Sequence, residues 1–254
     1  MSSAGKVVCI VEARFRSSRL PGKVLMPIMG KAMLARMLER VSRARTLDAI
    51  VVACPESYED DAVERVAFES GALCFRGSEH DVLGRVVGAA RASNADVIVE
   101  VTGDCPLHEP ALIDKVLSDY RLGGADFVSN ILPYSTPRGT DVRVFSAKSL
   151  AEIAETSDDE ADREHVSLHY WEHPEQYRLR NVTTAFPADV ANLRLTVDTE
   201  DDLRFVRAVY DELYPRNPNF TLADVIGLLA ERPDIKAINA GVVQKAVRAA
   251  APTA

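Results

Sequence analysis

Five cations crowd one loop of an otherwise acidic chain. Arg14, Arg16, Arg19, Lys23 and Lys31 fall within eighteen residues of a protein whose net charge is −8. The run Val7-Val8-Cys9-Ile10-Val11 before them is short and wholly apolar, as a parallel strand buried on both faces is. After them Met33, Leu34, Met37, Leu38 and Val41 recur at helical spacing. A strand therefore delivers a long basic loop, and a helix leaves it. Open α/β sheets bind ligands at the carboxyl ends of their strands, which makes the loop a candidate polyphosphate cradle. Leu20-Pro21-Gly22 suits that use, because Pro fixes a turn and Gly lets backbone approach a ligand closely. A solvated basic loop is the plain alternative. Neither Gly-x-Gly-x-x-Gly nor Gly-x-x-x-x-Gly-Lys-Ser/Thr follows the strand, so a dinucleotide fingerprint and a P-loop are both excluded.

The alternation continues downstream. Residues 48–54, 73–75 and 96–101 read as strands, with helical spacing through Ala62, Val63, Val66 and Ala67 and again through 110–122. That pattern predicts a doubly wound, mostly parallel α/β sheet. Ser78 and Asp81 have the spacing of a helix cap. Asp104 follows the fourth strand, where an acid can hold a cation or act as a turn residue before the helix near Pro110. From residue 126 the pattern changes to a strand at 127–130, a turn-rich stretch and a half-exposed strand at 140–145. Residues 163–172 read as a helix with His165, His169 and His173 on one face. Pro174 ends that helix and no His-Glu-x-x-His is present, which disfavours a metal site. Leu193 to Val197 should return to the main sheet, and Thr199 should cap the helix after it. No linker separates two autonomous domains, so residues 1–254 form one domain with a smaller arm at about 130–190; the Ala-rich tail 246–254 should be mobile.

Composition narrows the partners. The acidic balance argues against nucleic acid and anionic membrane surfaces. No apolar run approaches membrane-helix length, and Lys6 to Ala13 is no signal peptide. Cys9, Cys54, Cys74 and Cys105 include no Cys-x-x-Cys pair, so buried free thiols and a cytoplasmic location are expected.

The run Ala13-Arg14-x-x-Ser17-x-Arg19-Leu20-Pro21-Gly22-Lys23, followed by Gly30-Lys31-x-Met33, resembles the opening motif of the cytidylyltransferases that activate sugar acids, such as CMP-KDO and CMP-sialate synthetases. The nearest branch is that of spore-coat polysaccharide biosynthesis protein F. Gly103-Asp104-x-Pro106-Leu107 is similar to the family's magnesium signature, and Val197-Asp198-Thr199-x-x-Asp202-Leu203 to its second metal motif. The resemblance covers residues 6–213. It implies a nucleotide against Ala13, Arg14, Ser18, Arg19, Lys23, Ser78, Thr102, Gly103 and Asp104, and Mg2+ on Asp104 and Asp198. It implies an acceptor near Arg138, Asp141, Arg163 and His165, and a homodimer paired through the arm, with Trp171 as an anchor. The implied reaction transfers CMP from CTP to a small acidic acceptor and releases pyrophosphate. Arg14 and Lys23 would neutralise the leaving phosphates in that scheme. A GT-A glycosyltransferase and a non-catalytic nucleotide-binding homologue are the alternatives. The first would present Asp-x-Asp where this chain has Gly103-Asp104-Cys105.

Overall fold

The computed structural model describes residues 5–184 and 186–245, so the expected tail lies outside the described residues. Strand β1 (Val7–Glu12) buries alternate side chains on opposite faces: Val7, Cys9 and Val11 join one apolar cluster, Val8 and Ile10 the other. After the basic loop the chain forms a small hairpin, β2 (Pro27–Ile28) and β3 (Lys31–Ala32). Its two turn residues, Met29 and Gly30, both have positive φ, at 48° and 76°. Helix α1 (Met33–Val41), β4 (Ala49–Pro55), α2 (Asp61–Glu69), β5 (Leu73–Gly77), α3 (Val82–Ala92) and β6 (Val97–Thr102) complete the expected alternation. Then come α4 (Pro110–Arg121), β7 (Phe127–Ser129), β8 (Arg143–Ser146), α5 (Ala147–Thr156), α6 (Glu160–Glu164), α7 (Leu168–Glu172) and β9 (Leu179–Asn181). The chain closes with α8 (Ala188–Ala191), α9 (Glu200–Leu213), α10 (Leu222–Glu231) and α11 (Pro233–Ala237).

The strands make one seven-stranded sheet in the order β5-β4-β1-β6-β8-β7-β9. β5, β4, β1 and β6 run parallel, β8 is antiparallel to both neighbours, and β9 is parallel to β7. The winding reverses direction at β1 and β6, so the crevice beyond their carboxyl ends is the ligand position of an open α/β sheet. Both the basic loop and Asp104 leave the sheet there.

Four expectations need correction. The strand at 140–145 is not half-exposed: β8 lies between β6 and β7 with Val144 and Phe145 fully buried. Its polar residue is tolerated inside because Arg143 pairs with Glu100 at 3.2 Å. The segment 130–190 contributes β8 and β9 to the main sheet itself. Residues 163–172 form two short helices, because Val166, Leu168 and Tyr170 are all buried at a spacing of two that one straight helix cannot bury on one face. His169 and His173 still meet, with ring centroids 4.2 Å apart and planes tilted by 42°, and His165 stands outside that pair. Leu193 to Val197 runs extended but joins no strand of the sheet; it pairs with Arg138, Leu195 N donating to Arg138 O at 2.7 Å. All four cysteines are free, and no described helix is long and apolar enough to cross a membrane.

Candidate active site

The basic loop is a folded object. Gly22 N donates to Phe15 O at 2.8 Å, and Phe15 N donates to Asp60 Oδ1 at 2.7 Å. Gly22 has φ 71°, and a Cβ there would meet the Phe15 ring at 3.1 Å. Leu20 and Val24 are buried and plug the loop into the core. Arg14, Arg16, Ser17, Ser18, Pro21 and Glu59 line a cavity of about 360 Å³ within it. Arg16 is held by Glu59 at 2.7 Å and Glu79 at 3.2 Å, whereas exposed Arg14 meets only Glu164, at 3.3 Å, among the described contacts. A second cavity, of about 420 Å³ beside Arg43, Glu109 and Phe220, shares no residue with the loop.

One residue after Gly22, the Lys23 side chain turns inward. Its Nζ donates to Asp104 Oδ2 at 2.7 Å, to Asp198 Oδ1 at 2.9 Å and to Val197 O at 2.7 Å. Burial works against its charge, but the two carboxylates hold its pKa above the ordinary value. Burial likewise opposes ionisation of Asp104, and the Lys23 ammonium overrides it, holding the carboxyl at about 2. Asp198 is fastened from its other side: Oδ2 accepts from Arg194 Nη2 at 2.5 Å and pairs with Arg19 Nη2 at 2.9 Å. Gly103 lets the tips of β1 and β6 close up, Gly103 N donating to Glu12 O at 2.7 Å. A Cβ at Gly103 would lie 2.9 Å from the Ala13 Cβ.

Capping explains neither aspartate. Glu109 caps α4, accepting from Ala111 N at 3.2 Å, five residues beyond Asp104. Thr199 and Asp202 form the capping box of α9, which leaves the Asp198 carboxylate to the three cations. The pair fits a divalent ion of the magnesium class. Both carboxylates converge on one point already filled by positive charge. Such ions are held by one or two carboxylates together with substrate phosphates. Among the described residues no three His, Cys, Asp or Glu are grouped to hold a metal, so nucleotide oxygens would complete the donor set.

The family model described as cytidylyltransferase matches residues 8–212. The chain belongs to the cytidylyltransferase family. It is 31% identical over 233 residues to the spore coat polysaccharide biosynthesis protein SpsF of Bacillus subtilis, covering 90% of this chain and 95% of that protein. It is 32% identical over 178 residues to the 3-deoxy-manno-octulosonate cytidylyltransferase of Geobacter metallireducens, covering 64% and 69%. The solved structure of a cytidylyltransferase from Leptospira borgpetersenii superposes with a TM-score of 0.87 at 28% identity, covering 95% of this chain and all of that one. The protein is a CTP-dependent nucleotidyltransferase.

The remaining expected residues of this cytidylyltransferase are engaged in different ways. Ser78 is not the helix cap: its Oγ accepts from His80 N and Asp81 N in a turn, and Asp81 caps α3 through Gly84 N at 2.8 Å. Thr102 Oγ1 lies 3.3 Å from Cys105 Sγ, and Ser18 is exposed on the loop. Arg138 lies over the Tyr134 ring at 4.1 Å. Asp141 accepts from Tyr134 Oη at 2.9 Å and from Gly139 N at 3.2 Å. Arg163 is engaged as a clasp, donating to Ala154 O and Ser157 O at 2.7 Å and meeting Asp81 at 3.4 Å. His165 is exposed and adjoins Glu164, the partner of Arg14.

Sequence reasoning missed Arg194, and with it the second function of Asp202. It also missed an acid cluster under the crevice. Register pairs Ile10 with Glu100 and Glu100 with Arg143, which places Glu12 diagonal to Glu100. Glu12 Oε1, Glu100 Oε2 and Arg85 Nε are buried without a partner. Burial, then the Glu100 charge, pushes the Glu12 carboxyl up to about 8. The folded protein therefore keeps a proton that the unfolded chain releases near pH 4.5, so stability falls as pH rises from there to about 8. Glu12→Gln removes that fall. At pH 8 it should stabilise the protein by about 1–3 kcal/mol, with little gain at pH 4. Thermal melts across that range check this, and a gain independent of pH would refute it.

Proposed function

We propose that the enzyme transfers CMP from CTP to a hydroxyl of a small acidic acceptor, of the sugar-acid class, in the making of surface polysaccharide or glycoconjugate precursors. The observation that carries this is the basic loop at the end of β1, which lines a cavity with Arg14 and Arg16 and sends Arg19 and Lys23 to two carboxylates, Asp104 and Asp198. Lys23, Arg19 and Arg194 balance Asp104, Asp198 and Asp202, so the cluster has no surplus charge for a triphosphate. Arg14 and a bound cation must supply it.

The acceptor oxygen bonds to the α-phosphorus as the bond to the bridging oxygen breaks, the hydroxyl proton is released, and pyrophosphate leaves. Arg14 and the loop backbone neutralise the leaving group, and Ala13, Ser18, Ser78, Thr102 and Gly103 shape the nucleotide pocket. Asp104 and Asp198 would hold magnesium, which would supply charge neutralisation at the α-phosphate. Arg138, Asp141 and His165 line the acceptor side, and Arg163 ties the end of α5 to Asp81. The sugar-acid class draws support from the relative whose name specifies 3-deoxy-manno-octulosonate. The same proposal has the enzyme working as a cytoplasmic homodimer paired through 130–190, for which four free thiols suit a reducing compartment.

The test is pyrophosphate release with each nucleoside triphosphate, magnesium and a panel of sugar acids. Release should require both CTP and an acceptor. Release with no member of the panel would sink the acceptor class, and nucleotide release from a nucleotide-sugar would favour glycosyl transfer.

A further inference from the structure

We infer that Lys23 is a resident counter-cation of the Asp104–Asp198 pair that a divalent metal must displace, so that the enzyme takes metal together with nucleotide and discriminates against the free ion. The metal's place in catalysis rests on the proposed reaction; the competition rests on the geometry alone. An ammonium has three protons, and all three of Lys23 are used, at 2.7, 2.9 and 2.7 Å, by a carboxylate from each aspartate and one carbonyl. The side chain is only 10% exposed. A magnesium-class ion sits about 2.0–2.1 Å from its oxygen ligands. It cannot take the same two oxygens while the ammonium stays among them, because two cations would then share one position.

What happens to the displaced lysine decides the order of binding. The free ion evicts Lys23 and offers it no anion, leaving an unpaired charge beside a buried site. A triphosphate entering with the ion provides that anion, and the flexible four-carbon stem can swing toward it. The Asp198 carboxylate does not follow, because Arg19 and Arg194 hold its Oδ2 independently of Lys23. Metal and nucleotide are thereby coupled through one side chain, and the coupling is reciprocal. Ligation by nucleotide oxygens alone would also couple metal and nucleotide, but that part of the coupling would not depend on Lys23.

Mn2+ binding followed by electron paramagnetic resonance tests this, with and without the α,β-methylene analogue of CTP, which cannot be cleaved. Lys23→Met should bind Mn2+ about tenfold more tightly than the wild type when nucleotide is absent. The enhancement by the analogue, strong in the wild type, should shrink in the variant. Lys23→Gln, which keeps hydrogen-bond donors without the charge, should behave like Lys23→Met. Equal Mn2+ affinity for the wild type with and without the analogue overturns the inference, and that measurement needs no variant to fold. Folded variants that bind Mn2+ no more tightly than the wild type also overturn it. Altered Mn2+ affinity beside a complete lack of pyrophosphate release would refute the proposed reaction and leave the competition standing.

Discussion

Asp198→Asn and Asp104→Asn should each remove nearly all metal-dependent pyrophosphate release, by roughly a hundredfold or more. Asparagine keeps the shape and one acceptor oxygen but not the negative charge a divalent ion requires. The alternative role, helix capping, would leave turnover largely intact, and the structure assigns capping to Glu109 and Thr199 instead. Stability should respond as well, because Lys23 is buried against the lost charge. The Asp104 carboxyl is held at about 2 against an ordinary 3.8, so its ionised form contributes on the order of 2 kcal/mol at neutral pH. Its folded pKa is depressed, so this contribution is present above about pH 4 and is lost as pH falls toward 2. Asp104→Asn measured without metal should therefore melt roughly 4–8 °C lower at pH 7. Wild-type turnover with an unchanged response to magnesium in either variant would remove that residue from the metal site.

What the sequence revealed was local, and what it concealed was relational. The cradle was legible because strand, loop and helix are consecutive, and five cations in an acidic chain need a reason. The parallel half of the sheet was legible from strand–helix alternation. The position of β8 was not, since Arg143 makes the strand look half-exposed until Glu100 and Asp141 are placed beside it. Ser78 and Asp81 fitted a capping pattern, yet the turn at Ser78 moves the helix start to Val82. Lys23 was read as a phosphate ligand because it belongs to the basic run. Nothing local says that its side chain crosses to carboxylates 81 and 175 residues away. Asp202 was hidden for the opposite reason: a sufficient local role, the capping box, concealed a second one. The one available signal for that second role was Arg194, a lone cation inside the apolar run Leu193 to Val197.

Arg194→Leu should be among the most destabilising single substitutions in this cluster, costing about 3 kcal/mol. Arg194 Nε donates to Asp202 Oδ1 at 2.9 Å and its Nη2 reaches Asp198 Oδ2 at 2.5 Å, so one planar fork joins two carboxylates. The Asp202 side chain has no exposed surface. Burial opposes its charge, and Arg194 together with the Asp198 N–H holds its pKa below the ordinary carboxylate value. Leucine removes the counter-charge and leaves the carboxylate buried. The loss should stay near the low end of the usual 3–5 kcal/mol, because Asn239 and the backbone N–H groups of Asp198 and Thr199 still donate to Asp202. For a chain of this size the melting point should fall by roughly 6–12 °C at pH 7. The depressed carboxylate contributes only above its unfolded pKa, so the gap between wild type and variant should narrow as pH drops below about 4. Arg194→Lys should recover only part of the loss, since a single ammonium cannot reproduce a fork between two carboxylates. A leucine variant melting within a degree or two of the wild type would mean that the backbone donors alone sustain Asp202, and that Arg194 serves Asp198 instead.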